Sequence, residues 1–434
     1  MVGLRRSGVA AAGALWKLGE PVIGVDSGEP PGLDGLRSAG MEIETGSDGL
    51  RELERARAVV KSPGVPAQAP VIAAARERGI PVLGELELGW RLLSNRFVAV
   101  TGTNGKTTTV ELLGEIWRAA GLPVAVAGNV GTAVCSLVGR LDPEVTVICE
   151  ASSFQLEDSL AFDPEVAVFL NFSPDHLDRH GSVEEYRRAK LEIFAHQDES
   201  DLAVGPAALL EGAPGGARRV TVASPPEAEG DVRVLEGVVT WAGEPVIEAS
   251  GIRLRGRHNL ENALAATGAA LGCGLDRDAV AAALEGFAGV EHRIEEVGRA
   301  AGALWVNDSK ATNAGSTVVA LEAFEEPVIL IAGGQAKGQE FEGLARAAES
   351  RVRLAFLIGE DGPQVERALA GVVECRTVDG LAEAVAGAAG EASGGDVVLL
   401  SPACASFDLY PGGYEERGAH FRALVAGIPG FSPA

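Results

Sequence analysis

Apolar runs of strand length alternate with Ala/Leu-rich stretches of helical spacing along most of the chain, a pattern that predicts an α/β fold around largely parallel sheets. In the first segment Val22-Ile23-Gly24-Val25-Asp26 and Ala58-Val59-Val60 read as short buried strands and Gly8 to Leu18 as a helix. Ser62-Pro63-Gly64-Val65-Pro66 reads as a turn, and the segment ends near Leu93-Ser94-Asn95. A second segment opens with the strand Phe97-Val98-Ala99-Val100, crosses a Gly-rich turn and enters a helix from about Thr108 to Ala120; strands follow at Val145 to Cys149 and Val166 to Leu170. Between Asp201 and Arg255 short β-rich pieces broken by Gly and Pro, such as Val238-Val239-Thr240-Trp241, predict an antiparallel extension. Helices near Asn259 and from Ala279 to Leu284 lead to a boundary around Val290. Beyond it, strands at Leu304-Trp305-Val306, Val328 to Ile331, Leu354 to Ile358 and Val397 to Leu400, each followed by helical sequence, give a Rossmann-like pattern.

The 434 residues correspond to roughly three domains at ~150 residues each, placed at 1–93, 94–290 and 291–434. Lys plus Arg number 37 against 61 Asp plus Glu, a formal net charge of −24, so polyanionic partners such as nucleic acid or an anionic membrane are disfavoured. Only six of the basic residues are lysines, at 17, 61, 106, 190, 310 and 337, which raises the question of what arginine could not do at each. No run approaches the ~20 apolar residues of a membrane span, and Met1-Val2-Gly3-Leu4-Arg5-Arg6 has no apolar core of a signal peptide. Five scattered cysteines without CxxC spacing speak against a disulfide framework or structural zinc, and a cytoplasmic location is expected.

The strongest local signal is Thr101-Gly102-Thr103-Asn104-Gly105-Lys106-Thr107-Thr108-Thr109 between an apolar strand and a helix. Small residues let backbone N–H groups close around phosphate oxygens, Lys106 can reach the terminal phosphates, and Thr107 can offer its hydroxyl to Mg²⁺. The loop is two residues shorter than the usual GxxxxGK[ST]; a plain Gly/Thr turn is the alternative, disfavoured by the strand–loop–Lys-Thr–helix order. Glu150 follows directly on the strand Val145 to Cys149, where a carboxylate can hold phosphate-bridging Mg²⁺. Asn171-Phe172-Ser173-Pro174-Asp175-His176-Leu177-Asp178-Arg179-His180 also follows a strand, and spacing does not choose between His176 and His180. Lys190 lies on a helix that Ser182 caps; on sequence alone a surface lysine is the leading reading. Polar clusters recur at Gly256-Arg257-His258-Asn259 with Asn262, at Glu291-His292-Arg293, and at Asn307-Asp308-Ser309-Lys310-Ala311-Thr312-Asn313. Further loops after strands are Gly333-Gly334-Gln335-Ala336-Lys337-Gly338 and Ser401-Pro402-Ala403-Cys404-Ala405-Ser406-Phe407-Asp408. Such strand-end loops suggest a ligand site.

Together these motifs resemble the Mur ligase family over nearly the whole chain. The stretches Glu150 to Glu157, Asn307 to Asn313 and Ser401 to Asp408 are similar to its D-glutamate-adding branch. The resemblance implies a Rossmann-like N-terminal domain for a UDP group, a central P-loop ATPase domain and a Rossmann-like C-terminal domain for an amino acid. It implies ATP, Mg²⁺ at two sites, and the substrates UDP-N-acetylmuramoyl-L-alanine and D-glutamate, joined through an acyl phosphate by a monomeric enzyme of peptidoglycan synthesis. Carried over residue by residue, Gly102, Thr103, Asn104, Gly105, Lys106, Thr107 and Thr108 cradle the ATP phosphates, while Asn262, Arg293 and Asp308 hold adenine and ribose. Thr107, Glu150, His176 and Lys190 serve the metal, Lys190 as a carbamate, and Lys106, Glu150, His176 and Lys190 form the catalytic set. Ser7, Asn129, Ser153, Lys310, Thr312, Lys337, Ser406 and Phe407 contact substrate. The chain departs from the family at Gln335-Ala336, where relatives usually carry an acidic residue, and at its start, where only Met1-Val2 precede the Gly3 to Gly8 turn: either the start is misassigned or the UDP domain lacks most of a central strand. A folylpolyglutamate-type synthetase and an inactive nucleotide-binding relative are the alternatives.

Overall fold

The computed structural model describes residues 1–227, 229–336 and 338–434, apart from the side chains of Leu177 and Asp178. The chain divides into two compact units, one of residues 1–252 with 261–286, the other of residues 253–260 with 287–434.

In the first unit the strands Ile23–Asp26 and Glu42–Thr45 pair in parallel, as do Val59–Lys61 and Val82–Gly84. Val2 bridges both pairs, parallel to Val25 and to Lys61. The helix Arg6–Lys17 begins two residues earlier than the apolar pattern suggests, and no side chain caps its start.

Nine strands make the unit's large sheet, in the order Glu244–Glu248, Val238–Trp241, Val232–Leu235, Arg218–Ala223, Leu202–Gly205, Val166–Phe169, Phe97–Thr101, Thr146–Glu150, Val124–Gly128. Among the described residues, seven of these are joined by parallel pairings, and only the pairings of Val238–Trp241 with its two neighbours are antiparallel. The predicted antiparallel extension over 201–255 is therefore corrected: three of its five strands continue the parallel sheet, and a Gly/Pro-rich break can carry a crossover as well as a hairpin. The central strands are buried on both faces, which is why they read as unbroken apolar runs. Phe97, Ala99, Val147, Cys149, Ala167 and Phe169 build one core, and the helix Lys106–Ala119 packs on the sheet and on Arg277–Gly286.

The second unit is a seven-stranded sheet in the order Cys375–Thr377, Val352–Ile358, Val328–Gly333, Val397–Leu400, Ala303–Asn307, Glu295–Ala300, Ser432–Pro433; the first five strands are parallel. Residues alternate between two cores: Val306, Leu330, Leu357 and Leu399 face one, Trp305, Ile331, Phe356 and Leu400 the other. Every loop named for the amino-acid site starts at the carboxyl end of one of these strands.

Candidate active site

The phosphate loop leaves the strand Phe97–Thr101 and enters the helix Lys106–Ala119 through Gly105, whose φ of +85° suits glycine. A Cβ on Gly105 would lie 2.2 Å from Asn262 Oδ1, so the Asn262 carboxamide sits directly on the loop. No side chain caps the helix, whose positive end lies at the loop. Asn171 holds the loop from the next strand end: its backbone carbonyl accepts from Thr103 N–H (3.1 Å), its Oδ1 from Asn104 N–H (2.9 Å), and its Nδ2 donates to the Asn104 carbonyl (3.1 Å). The Thr103 hydroxyl lies 3.3 Å from that of Tyr186.

Two amines converge on one carbonyl. Lys106 Nζ donates to the Gly102 and Thr103 carbonyls at 2.8 and 2.9 Å, and Lys190 Nζ donates to Gly102 at 2.7 Å. Lys190, on the Ser182-capped helix Val183–Leu191, is 1% exposed, which rules out a surface lysine. Burial above all, then repulsion from Lys106, pushes its amine down to about 6, with Asp175 and Glu150 opposing.

Glu150 closes the strand Thr146–Glu150 with only 3% exposure. Its Oε2 accepts from the Thr107 hydroxyl (2.8 Å) and its Oε1 from Asn129 Nδ2 (2.9 Å), so three of the residues assigned from sequence meet at one carboxylate. A buried carboxylate with a threonine hydroxyl beside it offers hard oxygen donors that fit Mg²⁺.

The two histidines separate. His180 is buried, stacked at 5.0 Å on Phe154, with Nε2 at 2.9 Å from Ser153 Oγ and Nδ1 at 3.6 Å from Glu157. His176 is half exposed, at φ +52°, with Nε2 3.6 Å from Asp175 Oδ2 and its ring 5.0 Å from Phe154. The Ser153 hydroxyl is thus engaged by His180. Ser7 stands in the first turn of the uncapped helix Arg6–Lys17.

In the second unit Asp308 is buried at the end of the strand Ala303–Asn307; Ser401 Oγ donates to it at 2.7 Å and Ile294 N–H at 3.2 Å. Burial nonetheless raises its carboxyl to about 7. Arg293 acts electrostatically on both Asp308 and His258, whose imidazole burial lowers to about 4. Lys310 Nζ lies 5.7 Å over the Tyr414 ring, and Thr312 N–H donates to the Lys310 carbonyl. The loops around Lys310 and Ser406 are tied by Arg417, which sequence reading missed: buried in the helix Tyr414–Ala426, it donates to Ser309 Oγ (3.0 Å), Ser309 O (2.8 Å) and Cys404 O (3.3 Å). Ser406 is buried and Phe407 is 57% exposed; Lys337 lies outside the described residues. At the departure Gln335-Ala336, Gln335 Nε2 donates to Glu360 (3.3 Å) and Ala336 N–H to Asp361 (2.7 Å).

A parallel α/β sheet with a Gly-Lys-Thr loop entering a helix, a strand-end carboxylate bonded to that threonine and a buried amine has the arrangement of the P-loop class. Three family models match the chain: the Mur ligase MurD-like N-terminal domain over 1–84, the Mur ligase middle domain over 100–270 and the Mur ligase glutamate ligase domain over 292–404. It is 40% identical to the UDP-N-acetylmuramoylalanine–D-glutamate ligase of Pelotomaculum thermopropionicum, covering 99% of this chain and 97% of the relative. It is 39% identical to that of Bacillus cereus strain Q1, covering 98% and 96%. The fold is also that of the UDP-N-acetylmuramate–alanine ligase of Thermotoga maritima, with a TM-score of 0.58 over 97% of each chain at 21% identity. The chain belongs to the Mur ligase family.

Proposed function

We propose that this chain is an ATP-dependent ligase that joins D-glutamate to the alanyl carboxylate of UDP-N-acetylmuramoyl-L-alanine in peptidoglycan precursor synthesis, as a cytoplasmic monomer of three domains divided near residues 93 and 290. The observation that carries the reading is the near-full-length likeness to D-glutamate ligases together with the Thr107–Glu150–Asn129 cluster beside the phosphate loop.

In this reading the first-turn N–H groups of the helix Lys106–Ala119 and the Lys106 ammonium bind the ATP phosphates, and Asn262, Arg293 and Asp308 hold the nucleoside. Thr107, Glu150, His176 and a carbamylated Lys190 hold Mg²⁺ at two sites; when bound, the ions screen the charge between an anionic nucleophile and the γ-phosphate. Lys190 suits carbamylation because burial and the charge of Lys106 lower its amine to about 6, which favours the neutral form that captures CO₂. The substrate carboxylate oxygen bonds to the γ-phosphorus as the bond to ADP breaks, giving an acyl phosphate. The D-glutamate amine then attacks that carbonyl: the N–C bond forms as the C–O bond to phosphate breaks, phosphate leaves with the carboxylate oxygen, and the amine's surplus proton passes to solvent. Lys310, Thr312, Lys337, Ser406 and Phe407 place D-glutamate, whose two carboxylates call for cations and N–H donors. The UDP group lies at the start of the helix Arg6–Lys17 near Ser7, with the turn Ser62–Val65 against it: a Cβ on Gly3 would fall 2.9 Å from Ser62 Cβ and 3.7 Å from its hydroxyl.

Phosphate release from ATP by the purified chain with Mg²⁺ and UDP-N-acetylmuramoyl-L-alanine tests the proposal. Release that requires D-glutamate and is not supported by L-glutamate supports it; silence with D-glutamate rejects it.

A further inference from the structure

Lys61 stands outside the nucleotide and amino-acid motifs, yet it is no surface residue. It ends the strand Val59–Lys61 with its side chain wholly buried, 2.6 Å from Asp158 Oδ2 and 3.8 Å from Glu157 Oε1, and Nζ donates to the Val65 carbonyl at 2.8 Å. Asp158 is a common anchor: Arg76 approaches it at 3.5 Å, and its own carbonyl accepts from Gly84 N–H at 3.1 Å. A second cation works on the same turn. Arg179 donates to the carbonyls of Pro63 (2.6 Å) and Val65 (3.1 Å), with its guanidinium 4.2 Å over the Phe154 ring.

The carbonyls of the turn are thereby drawn onto two cations anchored in residues 154–179, while Ser62 lies against Gly3 at the start of the helix Arg6–Lys17. A buried Lys–Asp pair seldom adds stability beyond an apolar pair of the same volume, but it fixes geometry, because any other arrangement strands a charge out of water. We infer that Lys61 and Asp158 are positioning residues: their ion pair, with Arg179 as second clamp, sets the turn Ser62–Val65 for the UDP end of the nucleotide-sugar substrate. The inference rests on the function proposed above. Neither residue touches substrate; both act through the turn.

Single variants leave a buried charge unpaired and lose stability, so the decisive variant is Lys61→Met/Asp158→Leu, which replaces the pair by apolar groups; Arg76 is half exposed and can turn to water. Arg179→Met removes the second clamp independently. Both proteins are expected to fold with near-wild-type circular dichroism and Tm. The KM for UDP-N-acetylmuramoyl-L-alanine rises about tenfold in each, with the KM values for ATP and D-glutamate unchanged. Wild-type turnover with an unchanged KM for that substrate in Arg179→Met and in any folded Lys61→Met/Asp158→Leu protein overturns the inference alone. Wild-type protein that neither binds nor converts the substrate overturns the functional reading, and the inference with it.

Discussion

Thr107 donates its hydroxyl proton to Glu150 across 2.8 Å, joining the residue after the loop lysine to the residue that ends the neighbouring strand. Asn129 takes the other carboxylate oxygen, so the carboxylate proposed to bind metal is held from both sides. Glu150→Gln keeps the shape and removes the charge. It is expected to fold normally and to lose on the order of 10²-fold in kcat, with Mg²⁺ titration of phosphate release as the measurement. Wild-type activity and wild-type Mg²⁺ dependence in this variant would remove Glu150 from the metal site.

Lys190 separates stability from activity. Its folded pKa of about 6 lies below the unfolded value of 10.5, so the unfolded chain binds more protons in between. Stability therefore rises with pH across that window, and at pH 7 burying the amine is a cost. Lys190→Met is expected to raise Tm at pH 7 while abolishing ligation, and short carboxylic acids are expected to restore part of the activity of Lys190→Ala. Activity of the unaltered protein falls as pH drops towards 6, where the amine protonates and cannot capture CO₂. Thermal scans and phosphate release on the same samples check all three.

Asp308 runs in the opposite sense. Its carboxyl is raised from 3.8 to about 7, so the folded chain holds the extra proton and this group's contribution to stability declines as pH climbs through that range. Asp308→Asn is expected to raise Tm more at pH 8 than at pH 5, and to raise the KM for ATP. Equal Tm changes at the two pH values would contradict the buried-acid account.

Arg417 braces two loops at once through Ser309 and Cys404. Arg417→Met leaves those acceptors without their donor, at about 1–3 kcal/mol, and raises the KM for D-glutamate more than that for ATP. Arg417→Lys does not rescue it, because one ammonium cannot span both loops. Denaturant titration and the three KM values provide the check.

The parallel cores were legible because strands buried on both faces are written as continuous apolar runs: Phe97–Thr101 and Val328–Gly333 appear within a residue or two of where the pattern places them. The loop Thr101 to Thr109 and Glu150 stand at the strand ends where the pattern places them. Residues 201–255 were not, since Gly and Pro mark a break without saying whether the chain turns back or crosses over. Helix Arg6–Lys17 starts without a capping side chain, so nothing local announces it. Asn171 and Tyr186 were invisible as loop partners because their contacts join positions 67 and 83 residues apart. Lys61 did leave a signal: a lysine directly after Ala58-Val59-Val60 closes a buried strand, and a buried lysine needs a carboxylate.

The most direct test of the account labels both alanyl carboxylate oxygens of UDP-N-acetylmuramoyl-L-alanine with ¹⁸O and analyses the phosphate released with ATP, Mg²⁺ and D-glutamate by mass spectrometry. Attack of the carboxylate on the γ-phosphate predicts phosphate carrying one ¹⁸O, formed in step with the D-glutamyl product. Phosphate without label, or labelled phosphate whose release ignores D-glutamate, would contradict it.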